Sequence, residues 1–270
     1  MIPNFDDAIA LTTDDDTDAD HVLWHGHLTD NWSIGHVPNG GYTGAVLVNA
    51  LQSHTGAAIP VSLTTHYYRP AIHDAPFTVR TEIMKRGRTV THADAVLEQD
   101  GKVRCRSVAL MGEYPADETI LQTTPAQIPP ADECPARDPM SQGFNMSLLE
   151  SLDVRLDPAS MKTAGANSGG QRIDGWVKFR EDRPNDSRSL ALFVDAFPPV
   201  ILITVPETGW VPTLEMTTHV RAEPAPGWIR GEITAANVRG GTLIEDVRLW
   251  DSTNTLVAEA RQIALAKVPT

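Results

Sequence analysis

Cysteine is nearly absent: among 270 residues only Cys105 and Cys134 occur, too few for a disulfide framework and poor material for a cysteine-built zinc site. Long apolar runs are missing too, since nothing approaches the roughly 18 to 20 apolar residues that a bilayer span requires. Basic residues are scarce, with 22 Lys and Arg against 35 Asp and Glu and a net charge of −13. Nucleic-acid binding needs clustered cations, so it is excluded as a general role, although a few local arginines could still hold a small anion. Met1 to Ala10 carry Asp6 and Asp7 and no basic region leading into an apolar stretch. No secretory signal is read there, and a cytoplasmic location is expected. There is no His-Glu-x-x-His, Gly-x-Ser-x-Gly or phosphate-loop pattern, and the nine histidines show no ligand spacing. The acidic run Asp14-Asp15-Asp16-Thr17-Asp18-Ala19-Asp20 lacks the central Gly and closing Glu of a calcium loop and reads as a solvated loop.

What is present fits a globular chain, 41% hydrophobic and 21% charged, long enough for two modules that each bury a core. The sequence repeats itself. Thr64-Thr65-His66 recurs 153 residues later as Thr217-Thr218-His219, and the same offset places Gly87 on Gly240, Thr89 on Thr242, Val96 on Leu249 and Val103 on Leu256. Such a period is too long for a solenoid and fits duplication of one domain. The expected division is a first module over 1–114, a proline-rich linker over 115–145 and a second module over 146–270.

Each copy has a strand, a short apolar helix, then several long strands. In the first copy the helix is expected from about 40 to 53, opening at Asn39-Gly40-Gly41, with apolar residues nearly all round it, the mark of a helix buried on most sides. Strands are expected near 59–69, 76–86, 88–98 and 102–113, with Asp100-Gly101 as a hairpin signal. The second copy shows strands near 172–181, 211–221, 227–237, 241–251 and 255–267, and a helix around 196–205 with Pro198-Pro199 in its first turn. Antiparallel strands around one central apolar helix, twice over, make an α+β double hotdog.

Three polar residues stand in apolar settings. Asp195 lies in Leu192-Phe193-Val194-Asp195-Ala196-Phe197, where a carboxylate is costly unless hydrogen-bonded or raised in pKa; a helix N-cap is the structural alternative. Gln262 shares one strand face with Ala258, Ala260, Ala264 and Ala266, either as part of a site or satisfying loose backbone groups. Thr213 opens a long strand and has an ordinary strand-propensity explanation. The repeat offset puts these three on Tyr42, Pro60 and Ala109, none of which can do the same polar work. Two pseudo-equivalent sites with one retained would give this pattern.

The first copy contains Thr65-His66-Tyr67-Tyr68-Arg69-Pro70, Arg86-Gly87-Arg88-Thr89 and Glu98-Gln99-Asp100-Gly101; the second runs from Trp210 to His219, through Gly240-Gly241 and Leu249-Trp250-Asp251, to Ala260-Arg261-Gln262. These stretches resemble the bacterial acyl-CoA thioesterase II family over about residues 22–112 and 172–268. The resemblance implies that Asp195, Thr213 and Gln262 hold and activate a hydrolytic water. The family's His-Val-Phe-Gly-Gly segment appears here as His36-Val37-Pro38-Asn39-Gly40-Gly41, with an extra residue.

The expected reaction is hydrolysis of an acyl-CoA to free acid and thiol, a step in lipid metabolism. Asp195 would be general base, Thr213 and Gln262 would hold the water, and the helix opening at Asn39, Gly40 and Gly41, with His36 nearby, would face the oxyanion. A thiolate leaves readily enough that neither metal, cofactor nor covalent nucleophile is required. Arg69, Arg86, Arg88 and Arg239 are candidates for the CoA phosphates, whereas Cys105, His66 and His219 read as structural. A homo-oligomer joined through sheet edges is expected. Two alternatives stay open: a non-catalytic acyl-CoA or lipid binder, and a hotdog hydratase acting on enoyl-CoA, which would need a paired Asp and His near the helix start.

Overall fold

The computed structural model describes residues 4–13, 19–116, 119–162, 171–205 and 208–266, which leaves most of the acidic run, 14–18, outside the described residues. The first half comprises α1 (Phe5–Ala8), β1 (Thr12–Thr13), β2 (His21–Leu28), β3 (Ser33–Ile34), β4 (Val37–Pro38), α2 (Gly40–Thr55), β5 (Ile59–Tyr67), β6 (Ala75–Arg86), β7 (Thr91–Gln99) and β8 (Lys102–Gly112). The second comprises α3 (Leu148–Ser151), β9 (Leu152–Leu156), β10 (Gln171–Phe179), α4 (Ser187–Phe193), α5 (Ile201–Thr204), β11 (Thr213–Val220), β12 (Ile229–Arg239), β13 (Thr242–Trp250) and β14 (Leu256–Leu265).

One 12-stranded sheet runs in the order β1-β2-β6-β7-β8-β5-β11-β14-β13-β12-β10-β9. About the β5–β11 seam this order is symmetric, β8 answering to β14, β7 to β13, β6 to β12 and β2 to β10. Every pairing in it is antiparallel, and at the seam Thr64 lies directly opposite Thr217. Their hydroxyls are 3.0 Å apart and their numbers differ by the repeat spacing of 153. A pseudo-twofold axis therefore passes between the two threonines, and the repeat read from sequence is the symmetry of a double hotdog. The hairpin signal also holds: Asp100 and Gly101 both take positive φ, 52° and 66°, as a two-residue β-turn matched to strand twist requires.

Helix α2 is the first module's buried axis, with Tyr42, Ala45, Val46, Leu47, Val48, Ala50 and Leu51 all sealed from solvent. It starts where the Asn39 side chain accepts from the Tyr42 N–H and stops at Gly56, whose left-handed φ of 75° closes the C-terminus. In the second module the helix expected around 196–205 is displaced. The main helix, α4, lies earlier and begins at a capping box, with Asp186 accepting from the Ser189 N–H and Ser189 reaching back to the Asp186 N–H. Pro198 and Pro199 lack amide hydrogens and disfavour helical φ/ψ in the residue before each, so the chain resumes only the single turn α5 beyond them. Asp195 thus follows the end of α4 rather than capping a new helix.

The proline-rich segment is pinned along the second half. Trp250 Nε1 donates to the Thr123 carbonyl at 3.2 Å and Trp176 Nε1 to that of Pro129 at 2.9 Å. Ala136 then bridges to Arg155 in β9, and the Arg137 N–H donates to the Val154 carbonyl at 2.8 Å.

Candidate active site

Helices α2 and α4 approach so closely that Gly41 has no room for a side chain: a Cβ there would lie 2.7 Å from the Leu192 carbonyl oxygen and 2.9 Å from Asp195 Cβ. This contact brings Asp195 to the start of α2. Its Oδ2 accepts from the Gly41 N–H at 2.9 Å and from Asn39 Nδ2 at 2.9 Å, while the same amide nitrogen donates to the Asp195 carbonyl at 3.0 Å. Asn39 therefore works in both directions, its oxygen capping α2 and its nitrogen fixing the carboxylate. Burial raises the Asp195 pKa to about 6, and the donors from Gly41, Asn39 and Gly40 restrain the rise. The backbone donors at the head of α2, expected to face a developing oxyanion, face this carboxylate instead.

Across the β11–β14 pairing the Thr213 hydroxyl donates to Gln262 Oε1 at 2.7 Å. Gln262 Nε2 donates to Glu245 Oε2 at 2.8 Å, and Glu245 Oε1 accepts from the Val200 N–H at 2.6 Å. Glu245 sits directly opposite Gln262 in the β13–β14 register, and it fixes which end of the amide faces Thr213. Glu245 is 1% exposed. Burial, with a smaller contribution from the Asp195 charge, raises its pKa to about 7. A break in register between Thr213 and Glu215 marks a bulge beside the site, with Leu214 left out of the pairing.

Asp195, Thr213 and Gln262 all line one cavity of about 340 Å³, together with Asn39, Gly40, Tyr67 and Cys105. Tyr67 is held by its hydroxyl donating to the Gly40 carbonyl at 2.9 Å, and burial together with the Asp195 charge pushes its phenol well above the usual value. Cys105 is 1% exposed, with its thiol raised to about 12 by burial. His36 does not join this group: it is exposed and stacks on His73 with ring centroids 5.9 Å apart. Of the four arginines considered for phosphates, Arg69 alone is among the lining residues. His219 holds the Val61 carbonyl at 3.2 Å, in keeping with a structural role.

Two residues of this arrangement went unread in the sequence. Glu245 carried a usable signal, because Leu243, Glu245, Val247 and Leu249 alternate onto one buried strand face. Arg137, also on the cavity wall, carried none, since it lies in an irregular proline-rich stretch. At the positions offset by the repeat, Tyr42 is wholly buried, its hydroxyl donating to the Ala8 carbonyl at 2.8 Å, its ring 5.9 Å from that of Trp32. Aromatic packing thus fills the neighbourhood of Tyr42.

Comparison with known proteins gives a consistent picture. The family described as acyl-CoA thioesterase N-terminal domain matches residues 28–112, and its C-terminal counterpart matches residues 125–266. An uncharacterized protein of Mycobacterium tuberculosis is 28% identical, with 90% of each chain covered. A crystal structure from Thermobifida fusca, assigned as a thioesterase II, superposes with a TM-score of 0.86 at 29% identity over 99% of both chains. The acyl-CoA thioesterase II TesB2 of Mycobacterium marinum shares the fold, with a TM-score of 0.76 at 18% identity over 98% of this chain and 99% of that one.

Proposed function

The chain belongs to the acyl-CoA thioesterase family, and on that premise we propose that it hydrolyses an acyl-CoA thioester by direct attack of water activated by Asp195. The observation that carries this reading is a partly buried carboxylate with its pKa raised to about 6, fixed at a helix start and facing the same cavity as a hydrogen-bonded Thr213–Gln262–Glu245 chain. A base of that pKa is ionised at neutral pH yet basic enough to take a proton in the transition state.

The water sits between the Asp195 carboxylate and the Thr213 oxygen. The Thr213 hydroxyl hydrogen is committed to Gln262 Oε1, so its oxygen presents lone pairs and accepts from the water. Glu245 prevents the Gln262 amide from flipping. Asn39 Nδ2 and the Gly41 N–H both reach Oδ2, and the water takes Oδ1. As the new C–O bond forms, a water proton passes to Asp195; as the C–S bond breaks, that proton passes to the departing thiolate, leaving acid and thiol. The positive end of α2 keeps Asp195 ionised in surroundings that would otherwise protonate it.

A hydratase would need a histidine paired with the carboxylate, and no histidine is among the residues lining the cavity. The deciding experiment is thiol release from a panel of short, medium and long acyl-CoAs, wild type against Asp195→Asn. Release by wild type, abolished in the variant, supports hydrolysis. Equal release by both would remove Asp195 from the reaction, and no release on any chain length would favour a binding protein.

A further inference from the structure

The cavity wall has an unusual charge for so acidic a chain. Its charged lining residues are Asp195 and three arginines, Arg69, Arg104 and Arg137, in a protein of net charge −13. Two of the arginines are occupied. Arg69 donates to the Val103 carbonyl at 3.1 Å. Arg104 donates to the Pro70 and Gln99 carbonyls at 3.1 and 3.5 Å and lies 3.8 Å from Asp100.

Arg137 is different. Its side chain makes one hydrogen bond among the described residues, a long one of 3.4 Å from Nη1 to the Ala196 carbonyl, and no described carboxylate pairs with it. The acid on the neighbouring strand, Asp153, is taken by Arg155 at 3.2 Å. Burial alone lowers the Arg137 pKa to about 10, with no nearby charge contributing. Arg137 is partly buried, and a guanidinium partly withdrawn from water without a counter-charge is costly to keep. Yet its backbone is clamped in place by the Val154 carbonyl and by the bridge from Ala136 to Arg155.

Resting on the hydrolase reading above, we propose that Arg137 binds a carboxylate carried by the acyl group, so that the substrate class is carboxyacyl thioesters. The guanidinium touches the carbonyl of the residue that follows Asp195, so it lies on the reacting side of the thioester. The phosphates of CoA are separated from the sulfur by roughly a dozen bonds, about 15 Å at ordinary bond lengths, too far to reach this point from an extended arm. With Nη1 on the Ala196 carbonyl, the Nε–Nη2 edge makes no hydrogen bond among the described residues, and such a planar edge suits a bidentate carboxylate.

The test compares succinyl-, adipyl- and suberyl-CoA with butanoyl-, hexanoyl- and octanoyl-CoA, using wild type, Arg137→Met and Arg137→Lys. Wild type should favour at least one carboxyacyl chain more than 10-fold in kcat/KM over its length-matched neutral chain. Arg137→Met should erase that preference, its loss on carboxyacyl chains exceeding its loss on neutral chains by about 10-fold, and Arg137→Lys should restore part of it. The same series as N-acetylcysteamine thioesters, which lack phosphates, should keep the Arg137 effect; its loss there would assign Arg137 to the CoA phosphates and overturn the proposal. Equal losses on neutral and carboxyacyl chains, or no preference in wild type, would also overturn it. Calorimetric titration with adipate and hexanoate separates this idea from the hydrolase reading. Adipate binding that depends on Arg137 without any turnover sinks only hydrolysis, and turnover without Arg137-dependent preference sinks only this inference.

Discussion

Replacing Asp195 with Asn should make the protein inactive and more stable at once. Burial raises the Asp195 pKa from 3.8 to about 6, so the folded state holds this proton more tightly than the unfolded chain does. Stability then falls as pH rises from about 4 to about 6, and the loss persists above that range. A rise of about 2 pKa units corresponds to about 3 kcal/mol at 1.36 kcal/mol per unit. Asn resembles the protonated acid in shape and charge, and its oxygen can still accept from Gly41 N–H and Asn39 Nδ2. Asp195→Asn should therefore gain about 2–3 kcal/mol at pH 8, several degrees in Tm for a chain of this size, and gain almost nothing at pH 4. Glu245 keeps its own burial cost in both proteins and largely drops out of the difference. Urea melts at the two pH values measure the gap, and thiol release at pH 8 should fall by about 10² to 10⁴-fold, the span expected for a lost general base. A variant less stable than wild type at pH 8, or a gap independent of pH, would refute the reasoning.

Three further outcomes follow from the same geometry. Glu245→Gln replaces an acceptor that holds both Gln262 Nε2 and the Val200 N–H, so kcat should drop about 10-fold or more with little change in KM, because a misoriented Gln262 costs about 1.5–3 kcal/mol; a kcat equal to wild type would show that the amide needs no such anchor. Gly41→Ala would place a methyl 2.7 Å from the Leu192 carbonyl oxygen, forcing α2 and α4 apart and costing about 1–3 kcal/mol in a urea melt, with no cost if the helices can separate freely. Cys105, with its thiol near pKa 12 and 1% exposed, should react with a disulfide reagent at pH 8 far more slowly in the native protein than in urea, and matched rates would show that the cavity admits the reagent.

Most of the fold was legible because its determinants are local and repeated. Strand after strand was bounded by turn residues, and the Thr64 and Thr217 triplets marked the symmetry axis itself. The second helix was misplaced because Pro198-Pro199 is a good first-turn signal in isolation, while the capping box at Asp186 and Ser189 lay upstream in a stretch rich in Arg and Ser. Gln262 stood out against Ala109, its true counterpart across the axis, whereas the Tyr42 set against Asp195 by the same offset lies in the first turn of α2 and not beyond a helix end. What no local pattern could reveal was the partner each group would meet: Gly41, read as an oxyanion donor, turns out to spend its N–H on Asp195, and Arg137 reaches the site from the connecting segment.

The asymmetry between the copies follows from the same energetics. Asp195 and Glu245 both have pKa values raised by burial, so each ionised carboxylate lowers stability at neutral pH. A second such pair at the pseudo-equivalent position would double that cost. At the strand positions answering to Thr213 and Gln262 the first copy has Pro60 and Ala109, both buried and without side-chain polar groups, so no such polar chain is desolvated there. Apolar residues at those two positions spare the first copy the cost that Thr213, Gln262 and Glu245 impose on the second.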